Sequence, residues 1–232
     1  MSLRIRVPMR TWFGVVALAL TAAGRPLRAQ HAQQPESDVE RNARLARRGA
    51  GLHVGTWDVR GLSEPDGVST SSMPLVDGYF RKGLDQHLAL ETTVGLWRRT
   101  QTVRQSGGVL GGGGEDRVTS YIVPQFTSLM LFPFTQPSQR VEPYLSGGAG
   151  LALGIDDRQT TAGGLFGGES GTAMTAGFGF QTGTGAEWRL SKAFGLTAGA
   201  RYQWIRFLQD LGGDRTFRGF GLDGGVTYRF QY

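Results

Sequence analysis

The C-terminal segment of this 232-residue chain alternates between two kinds of side chain with a period of two. Successive residues of a β-strand point to opposite faces of a sheet, so this period indicates a strand with one apolar face and one small or charged face. The apolar set consists of Phe220, Leu222, Gly224, Val226, Tyr228, Phe230 and Tyr232, and the other set consists of Gly219, Gly221, Asp223, Gly225, Thr227, Arg229 and Gln231.

The same alternation recurs upstream and predicts an all-β chain. It is clear over 88–96, 141–155, 174–190 and 194–204, weaker over 51–60 and 75–82, and obscured over 118–134, where both faces are apolar. Together with the C-terminal segment these make eight strands. Several of them exceed the roughly 9 to 11 residues that a tilted membrane strand needs.

The connections between these strands alternate in length. Short turns are expected near 83–86, 135–140 and 191–193, and long polar or glycine-rich links at 61–73, 100–117, 156–172 and 208–217. This order is typical of an outer-membrane barrel that keeps its termini and short turns in the periplasm. We therefore predict an eight-stranded antiparallel up-and-down transmembrane β-barrel.

The distribution of glycine indicates which face of the sheet meets lipid. A soluble barrel of the lipocalin type is the alternative, and it would turn the aromatic face inward and the charged face outward. The charged face, however, also carries a run of glycines, and so little side-chain volume suits the crowded interior of a small barrel better than a solvated surface. The residues predicted to face outward therefore include Phe178, Phe180, Trp188, Tyr202, Trp204, Phe220 and Phe230.

The first 29 residues have the pattern of a secretory signal peptide. Arg4, Arg6 and Arg10 precede an apolar run from Thr11 to Ala23, and cleavage is expected after Ala29. A short membrane anchor is the alternative, but the apolar run is shorter than a spanning helix requires. We expect residues 30–50 to form a flexible periplasmic segment and residues 51–232 to form the barrel. A short helix that is capped by Ser37 and Glu40, runs through Arg48 and packs on the end of the barrel is the alternative for the segment.

Charge and cysteine content exclude several classes of function. The net charge is +6, but the predicted signal peptide holds five arginines and no acids, so its removal leaves 20 basic and 19 acidic residues and a net charge of +1. Such a balance gives no electrostatic case for binding nucleic acid. The absence of cysteine excludes disulfides, zinc–thiolate sites and thiol catalysis.

Charged residues on the small face would lie in the lumen, where they are tolerated only when paired. Arg201 and Asp223 fall nearly opposite each other across the link at 208–217, and a second cluster is expected near the periplasmic end. An ionic plug is the preferred interpretation, because eight strands leave an interior that side chains nearly fill. A gated path for ions or solutes is the alternative. The predicted lumenal set is Glu91, Glu142, Glu187, Arg189, Arg201, Asp223 and Arg229, with Asp77 and Arg81 as further members.

No catalytic residues are predicted. A barrel that modifies lipid needs a nucleophile or an activated water beside a base. Of the three histidines, His31 lies in the N-terminal segment, while His53 and His87 lack a local His-x-Ser pattern. A lipid-modifying enzyme would therefore need catalytic partners for these histidines that are distant in the sequence and come together only in the folded chain.

Cofactor and metal sites are also not predicted. The glycine-rich stretch at 107–114 lacks the Lys-Ser or Lys-Thr of a phosphate-binding loop and is interpreted as an external loop. Asp156-Asp157 with Glu169, and Glu115-Asp116, are interpreted as solvated loop acids. Binding of calcium or of cations that bridge lipopolysaccharide is the alternative for these acids.

Three segments resemble the outer-membrane β-barrel domain family, the small OmpA- and OmpX-like barrels. They are VEPYLSGGAGLALG at 141–154, FGLTAGARYQW at 194–204 and the ending VTYRFQY, and the resemblance covers 51–232. It implies an outer-membrane location in a Gram-negative-type envelope. It also implies that the C-terminal strand, which ends at Tyr232, is read by the barrel-assembly machinery.

From these observations we expect a non-enzymatic outer-membrane protein with a structural or surface-interaction role, a charge-plugged interior and no large pore. A narrow channel or transporter for small or apolar solutes is the alternative, followed by a barrel enzyme that modifies lipid A. The expected partners are outer-membrane lipid, lipopolysaccharide, the assembly machinery and a surface ligand bound by the outer loops. Nucleic acid and cofactors are not expected.

Overall fold

The computed structural model describes residues 47–60, 73–104, 115–134, 140–161 and 170–230. Every strand pairs antiparallel with its sequence neighbours, and β1 also pairs with β8, which closes the sheet into a barrel. The eight-stranded antiparallel barrel predicted from the sequence is confirmed. The strands are β1 (Gly49–Arg60), β2 (Met73–Gly83), β3 (Leu88–Arg104), β4 (Glu115–Leu131), β5 (Val141–Thr161), β6 (Ser170–Arg189), β7 (Phe194–Leu211) and β8 (Asp214–Arg229).

The two faces of the barrel follow the predicted alternation. Phe178, Phe180, Trp188 and Phe220 point outward and are about half exposed. The predicted lumenal residues point inward, and Glu187 is only 2% exposed. On β4, where the sequence did not fix the facing, the buried residues are Ser120, Ile122, Pro124, Phe126, Ser128 and Met130. Within the described ranges, no helix is long and apolar enough to cross a membrane.

We call the end of the barrel where β1 begins and β8 ends the periplasmic end, following the orientation predicted from the sequence, and we call the opposite end the outer end. The strands extend further toward the outer end than predicted. The predicted long link at 208–217 is wrong, because β7 continues to Leu211 and β8 begins at Asp214. Gly212 and Gly213 form the turn with φ of 58° and 90°, and a two-residue turn with both φ positive is the type I′ turn that matches the twist of a hairpin. The Gly-Gly pair was the sequence signal for it. The second and third links are also shorter than predicted, since β3 reaches Arg104 and β5 reaches Thr161.

The N-terminal predictions fall mostly outside the described residues. The signal peptide at 1–29 and most of the lead-in at 30–50 lie there, as do Tyr232 and the stretch at 107–114. β1 begins at Gly49, and Arg47 just before it has a buried side chain.

Exposed arginines bound the apolar exterior at its outer end. Arg206 on β7 and Arg218 on β8 both face outward. Twelve residues separate Phe194 from Arg206 on β7, which at about 3.4 Å per residue and a tilt of about 40° corresponds to roughly 30 Å along the membrane normal. The apolar band of an outer-membrane barrel is about 25 Å tall, so the exterior below these arginines has the height of a hydrocarbon layer. We call this surface the lipid-facing wall.

Replacing Leu222 by arginine is expected to lower the free energy of unfolding in lipid by about 2 to 4 kcal/mol, the cost of an arginine at the bilayer midplane. Leu222 is 67% exposed and lies four residues below Arg218 on β8, roughly 10 Å deeper in the wall. Chemical unfolding in phospholipid vesicles, followed by tryptophan fluorescence, measures the change. Leu208→Arg is the matched control, because Leu208 lies above Arg206 and the expected cost there is about 0 to 1 kcal/mol. Equal costs at both positions would contradict this placement of the wall.

Candidate functional site

The periplasmic half of the lumen holds a buried ionic cluster of four side chains. Arg81 donates to Glu91 through Nε at 3.0 Å and Nη2 at 2.8 Å, and it also donates to Glu187. Arg229 donates through Nε to the other oxygen of Glu187 at 3.0 Å. All four residues are buried. Glu187 therefore joins two arginines from different strands, and the charged cluster expected near the periplasmic end is present.

A second group of charges, made of three side chains, lies at the periplasmic rim of the barrel. Arg189 donates through Nε to Glu142 at 3.2 Å, and Arg47 Nη2 lies 3.5 Å from the same carboxylate. The guanidinium of Arg47 also lies over the ring of Phe132, 4.1 Å from its centroid, and donates to the backbone oxygen of Gln86. The chain just before β1 thus contributes one side chain to the barrel floor. Nothing in the basic composition around 41–48 distinguished Arg47 from its neighbours.

A third group of charges lies farther from the periplasmic rim. Arg201 donates through Nη1 to Asp77 at 2.6 Å and through Nε to Asp223 at 2.8 Å. His53 stacks on Tyr79 with a centroid distance of 4.4 Å, and its Nδ1 lies 4.0 Å from Asp223 Oδ1. The predicted pairing of Arg201 with Asp223 is confirmed. Asp77 of β2 also binds Arg201, across the pair of strands β8 and β1 that closes the barrel.

A small cavity lies beside this third group. Its volume is about 30 Å³, which is room for one or two water molecules, and its inward lining includes His53, Tyr144, Gln181 and Arg201. Within the described part of the chain, neither ring nitrogen of His53 has a hydrogen-bond partner. A polar lining of this kind suits water or a small polar solute better than an apolar one.

The outer half of the lumen contains a large apolar cluster, which the sequence did not predict. Trp57 and Trp97 are in ring contact at 4.3 Å, and Phe207 and Phe217 meet edge to face at 5.5 Å. All members of this cluster are at most 2% exposed, so their side chains pack against one another and away from water. We call the cluster the apolar plug, and it consists of Trp57, Met73, Leu75, Trp97, Ile122, Phe126, Ala152, Ile205, Phe207, Leu211 and Phe217.

The tip of the β7–β8 hairpin covers the apolar plug from outside. The side chain of Leu211 rests on Gly154 of β5, where an added Cβ would lie 2.7 Å from Leu211 Cδ2. Gly212 donates its backbone N–H to Asp156 at 2.6 Å, and Ser120 donates its hydroxyl to the same carboxylate at 2.6 Å. β7 meanwhile leaves its regular register with β8 between Arg206 and Leu211. This irregular stretch precedes the hairpin tip, which contacts Gly154 and Asp156 of β5.

A second contact holds the hairpin to the opposite side of the barrel. Arg99 of β3 donates to Asp214 of β8 at 3.0 Å, and Arg99 is 1% exposed. The interpretation of Asp156 as a solvated loop acid is therefore wrong: it is 1% exposed and fixes the hairpin turn. The side chains of Glu115 and Asp116, and all of Glu169, lie outside the described residues. Among the residues that the structure describes, no group of His, Asp or Glu suits a metal ion.

The histidines do not form a catalytic arrangement in the described part of the chain. His53 is buried in the lumen next to Asp223, far from the outer rim. His87 lies at the periplasmic turn between β2 and β3, where its Nδ1 is 3.1 Å from the backbone oxygen of Phe132. His31 lies outside the described residues. The expectation that this chain is not an enzyme stays a prediction.

Comparison with known proteins found similarity of structure only. No family model and no curated protein matches the chain. Among solved structures, OprG of Pseudomonas aeruginosa is similar at 14% identity and a TM-score of 0.46, over 80% of this chain and 98% of that one. Ail of Yersinia pestis is similar at 16% identity and a TM-score of 0.43, over 79% and 97%. Neisserial surface protein A is similar at 17% identity and a TM-score of 0.41, over 80% and 97%.

The family expected from the sequence agrees with features of this barrel itself. The sheet is closed and leaves no open edge along the wall, large apolar side chains cover the exterior, and paired charges lie inside. A closed antiparallel sheet with an apolar exterior is the β-structure that can span a membrane, because all its backbone groups are paired between strands. By its strand number, closure and lipid-facing wall, the chain has the fold of the small eight-stranded outer-membrane barrels that its sequence resembles.

Proposed function

We propose that this chain is an integral outer-membrane barrel with a closed lumen, which acts as a structural element of the membrane or through its outer surface. The observation that carries this proposal is the filling of the lumen by two different barriers in series. The buried ionic cluster occupies the periplasmic half, and the apolar plug occupies the outer half. In this proposal, either barrier alone is enough to interrupt a continuous column of water.

The energetics of both barriers favour the closed state. Opening the ionic cluster would separate charges that are buried and hydrogen-bonded to each other, and a buried charge without its partner is strongly destabilising. Opening the apolar plug would expose tryptophan and phenylalanine rings to water, which also costs free energy. A pore through this barrel would need both changes at once.

A narrow transporter is the second candidate function, and the cavity beside Arg201 is the observation in its favour. Its polar lining favours a small polar solute over the apolar solutes that the sequence left open. A solute in this cavity would have to pass the apolar plug on one side and the ionic cluster on the other.

The partners expected from the sequence remain proposals. The lipid-facing wall supports contact with outer-membrane lipid, and the basic residues above it support contact with lipopolysaccharide. We further propose that the assembly machinery reads the C-terminal strand, which is β8 in the closed barrel. A surface ligand would meet the strands and loops above the wall.

The closed-lumen proposal predicts that the purified, refolded protein gives no stable single-channel steps in planar bilayers. Heat-modified mobility on gels, in which a folded barrel migrates differently from its boiled form, verifies that the tested protein is folded. Reproducible steps from folded protein would contradict the proposal. Uptake of small polar solutes into vesicles without such steps would favour the transporter instead.

A further inference from the structure

We propose that Arg206 and Arg218 form a binding site for the phosphorylated glycolipid of the outer leaflet, lipopolysaccharide. The inference rests on the proposed membrane location and names residues that would hold one lipid in a defined place. It concerns the exterior of the barrel and is independent of whether the lumen conducts.

The first argument is that both arginines face outward on adjacent strands. Trp204 pairs with Arg218, and Arg206 pairs with Thr216, so the two arginines are diagonal neighbours across the β7–β8 ladder. Diagonal neighbours on one face of a sheet lie about 7 to 8 Å apart, within reach of long side chains. Two guanidinium groups at this spacing can converge on one phosphate, which each can bind through two parallel N–H donors.

The second argument is that neither arginine has an ion-pair or hydrogen-bond partner for its side chain among the described residues. The lumenal arginines Arg81, Arg201 and Arg229 are all held by carboxylates. On the β1 side, Arg218 pairs in register with Arg60, and the outward carboxylate Asp58 pairs in register with Phe220. Two exposed cations therefore lie side by side at the outer edge of the lipid-facing wall.

The third argument comes from depth in the membrane. An arginine facing lipid costs about 2 to 4 kcal/mol at the midplane and about 0 to 1 kcal/mol near the interface. Arg206 and Arg218 are therefore stable at the level of the headgroups, which their distance from the periplasmic end of β7 also indicates. They lie at the outer end of the wall, and the phosphates available there belong to the lipid of the outer leaflet.

The fourth argument is an aromatic surface that lies beside the two arginines and extends below them. Trp204 stacks on Phe180 with a centroid distance of 5.2 Å and contacts Phe178 at 5.7 Å. Tyr202 contacts Phe220 at 5.0 Å on the β8 side. A rigid apolar surface beneath a pair of cations fits a ligand with an anionic head and acyl chains. Free phosphate would use the cations and leave the aromatic surface without a role.

The test compares the wild-type protein with the double variant Arg206→Gln/Arg218→Gln. Both are refolded into phosphatidylcholine vesicles that contain lipopolysaccharide, dephosphorylated lipopolysaccharide, phosphatidylglycerol or no addition. The measurements are the midpoint of thermal unfolding and the lipid retained after detergent extraction, identified by mass spectrometry. Arg215→Gln is the matched control, because Arg215 is exposed on the same hairpin and is already paired with Asp210 at 2.5 Å.

The expected result is that lipopolysaccharide raises the unfolding midpoint of the wild type and of Arg215→Gln and stays bound to both. The double variant should retain about tenfold less of it, since it loses the charge-assisted hydrogen bonds to phosphate. Equal retention by the double variant, or equal retention of the dephosphorylated glycolipid, would overturn the site. Equal stabilisation by phosphatidylglycerol would overturn its assignment to the glycolipid. Failure of the wild type to insert into plain phosphatidylcholine would instead count against the proposed membrane location.

Discussion

Replacing Glu187 by glutamine is expected to lower the free energy of unfolding in lipid by about 3 to 5 kcal/mol. Glu187 is 2% exposed and accepts hydrogen bonds from both Arg81 and Arg229. An amide keeps the shape of the side chain but removes the charge, so two buried arginines would face each other with one carboxylate, Glu91, left for the cluster. Unfolding by urea or guanidinium in phospholipid vesicles measures the loss.

Asp210→Asn is the matched control for this change, because it removes a carboxylate from the exposed pair with Arg215. The side chains of that pair are 56% and 61% exposed, and an exposed ion pair contributes about 0 to 1 kcal/mol. A second variant tests the cause of the loss. Adding Arg229→Met to Glu187→Gln removes the unpaired cation and should recover part of the stability, since apolar replacements of a buried pair are often neutral. Similar losses for Glu187→Gln and Asp210→Asn would show that the buried cluster contributes little.

Much of the fold could be predicted because alternate residues of a strand point to opposite faces of the sheet. The charged and glycine-rich face of β5 to β8 went inward and the aromatic face went outward, as the alternation indicated. Even the pairing of Arg201 with Asp223 followed from counting across a link whose length was wrong. The predicted loop over 208–217 and the observed turn at Gly212-Gly213 have the same midpoint. The residues that lie opposite each other in the hairpin are counted outward from that midpoint, so the wrong loop length changed the count little. The irregular register near the turn moved the partner of Arg201 to Gly221, which still leaves Asp223 within reach.

The outer half of the lumen was not predictable in the same way. On β4 both faces are apolar, so the alternation does not show that Ile122 and Phe126 point inward. Trp57 and Trp97 come from β1 and β3, which are not neighbours in the barrel, and their contact depends on packing across the lumen. The sequence around Asp156 has the composition of a loop, and its role as the acceptor for the backbone N–H of Gly212 depends on a hairpin from a distant part of the chain. Strand patterns report the facing of a residue, whereas these features depend on which strands meet inside the barrel.

Replacing Trp97 by alanine is expected to lower the free energy of unfolding in lipid by about 3 to 5 kcal/mol, the range for a buried tryptophan or phenylalanine truncated to alanine. Trp97 is 1% exposed and contacts Trp57 in the apolar plug, and its Nε1 lies 3.4 Å from Asp77. The loss leaves a cavity inside a closed barrel. Trp188→Ala is the matched control, because Trp188 is 53% exposed on the lipid-facing wall and lipid can fill the space that its side chain leaves. The cost at Trp97 should therefore be clearly the larger of the two.

The double variant Trp57→Ala/Trp97→Ala tests how the two barriers combine. The two costs should not add, because the rings contact each other and share one cavity. Current through a barrel with two barriers in series is limited by the barrier that remains, so the double variant should stay silent in planar bilayers while the ionic cluster is intact. Adding Glu187→Gln to the double variant loosens the second barrier, and single-channel steps are expected only then. Steps from Trp57→Ala/Trp97→Ala alone would show that the ionic cluster does not seal the lumen and that the tryptophans provide the closure.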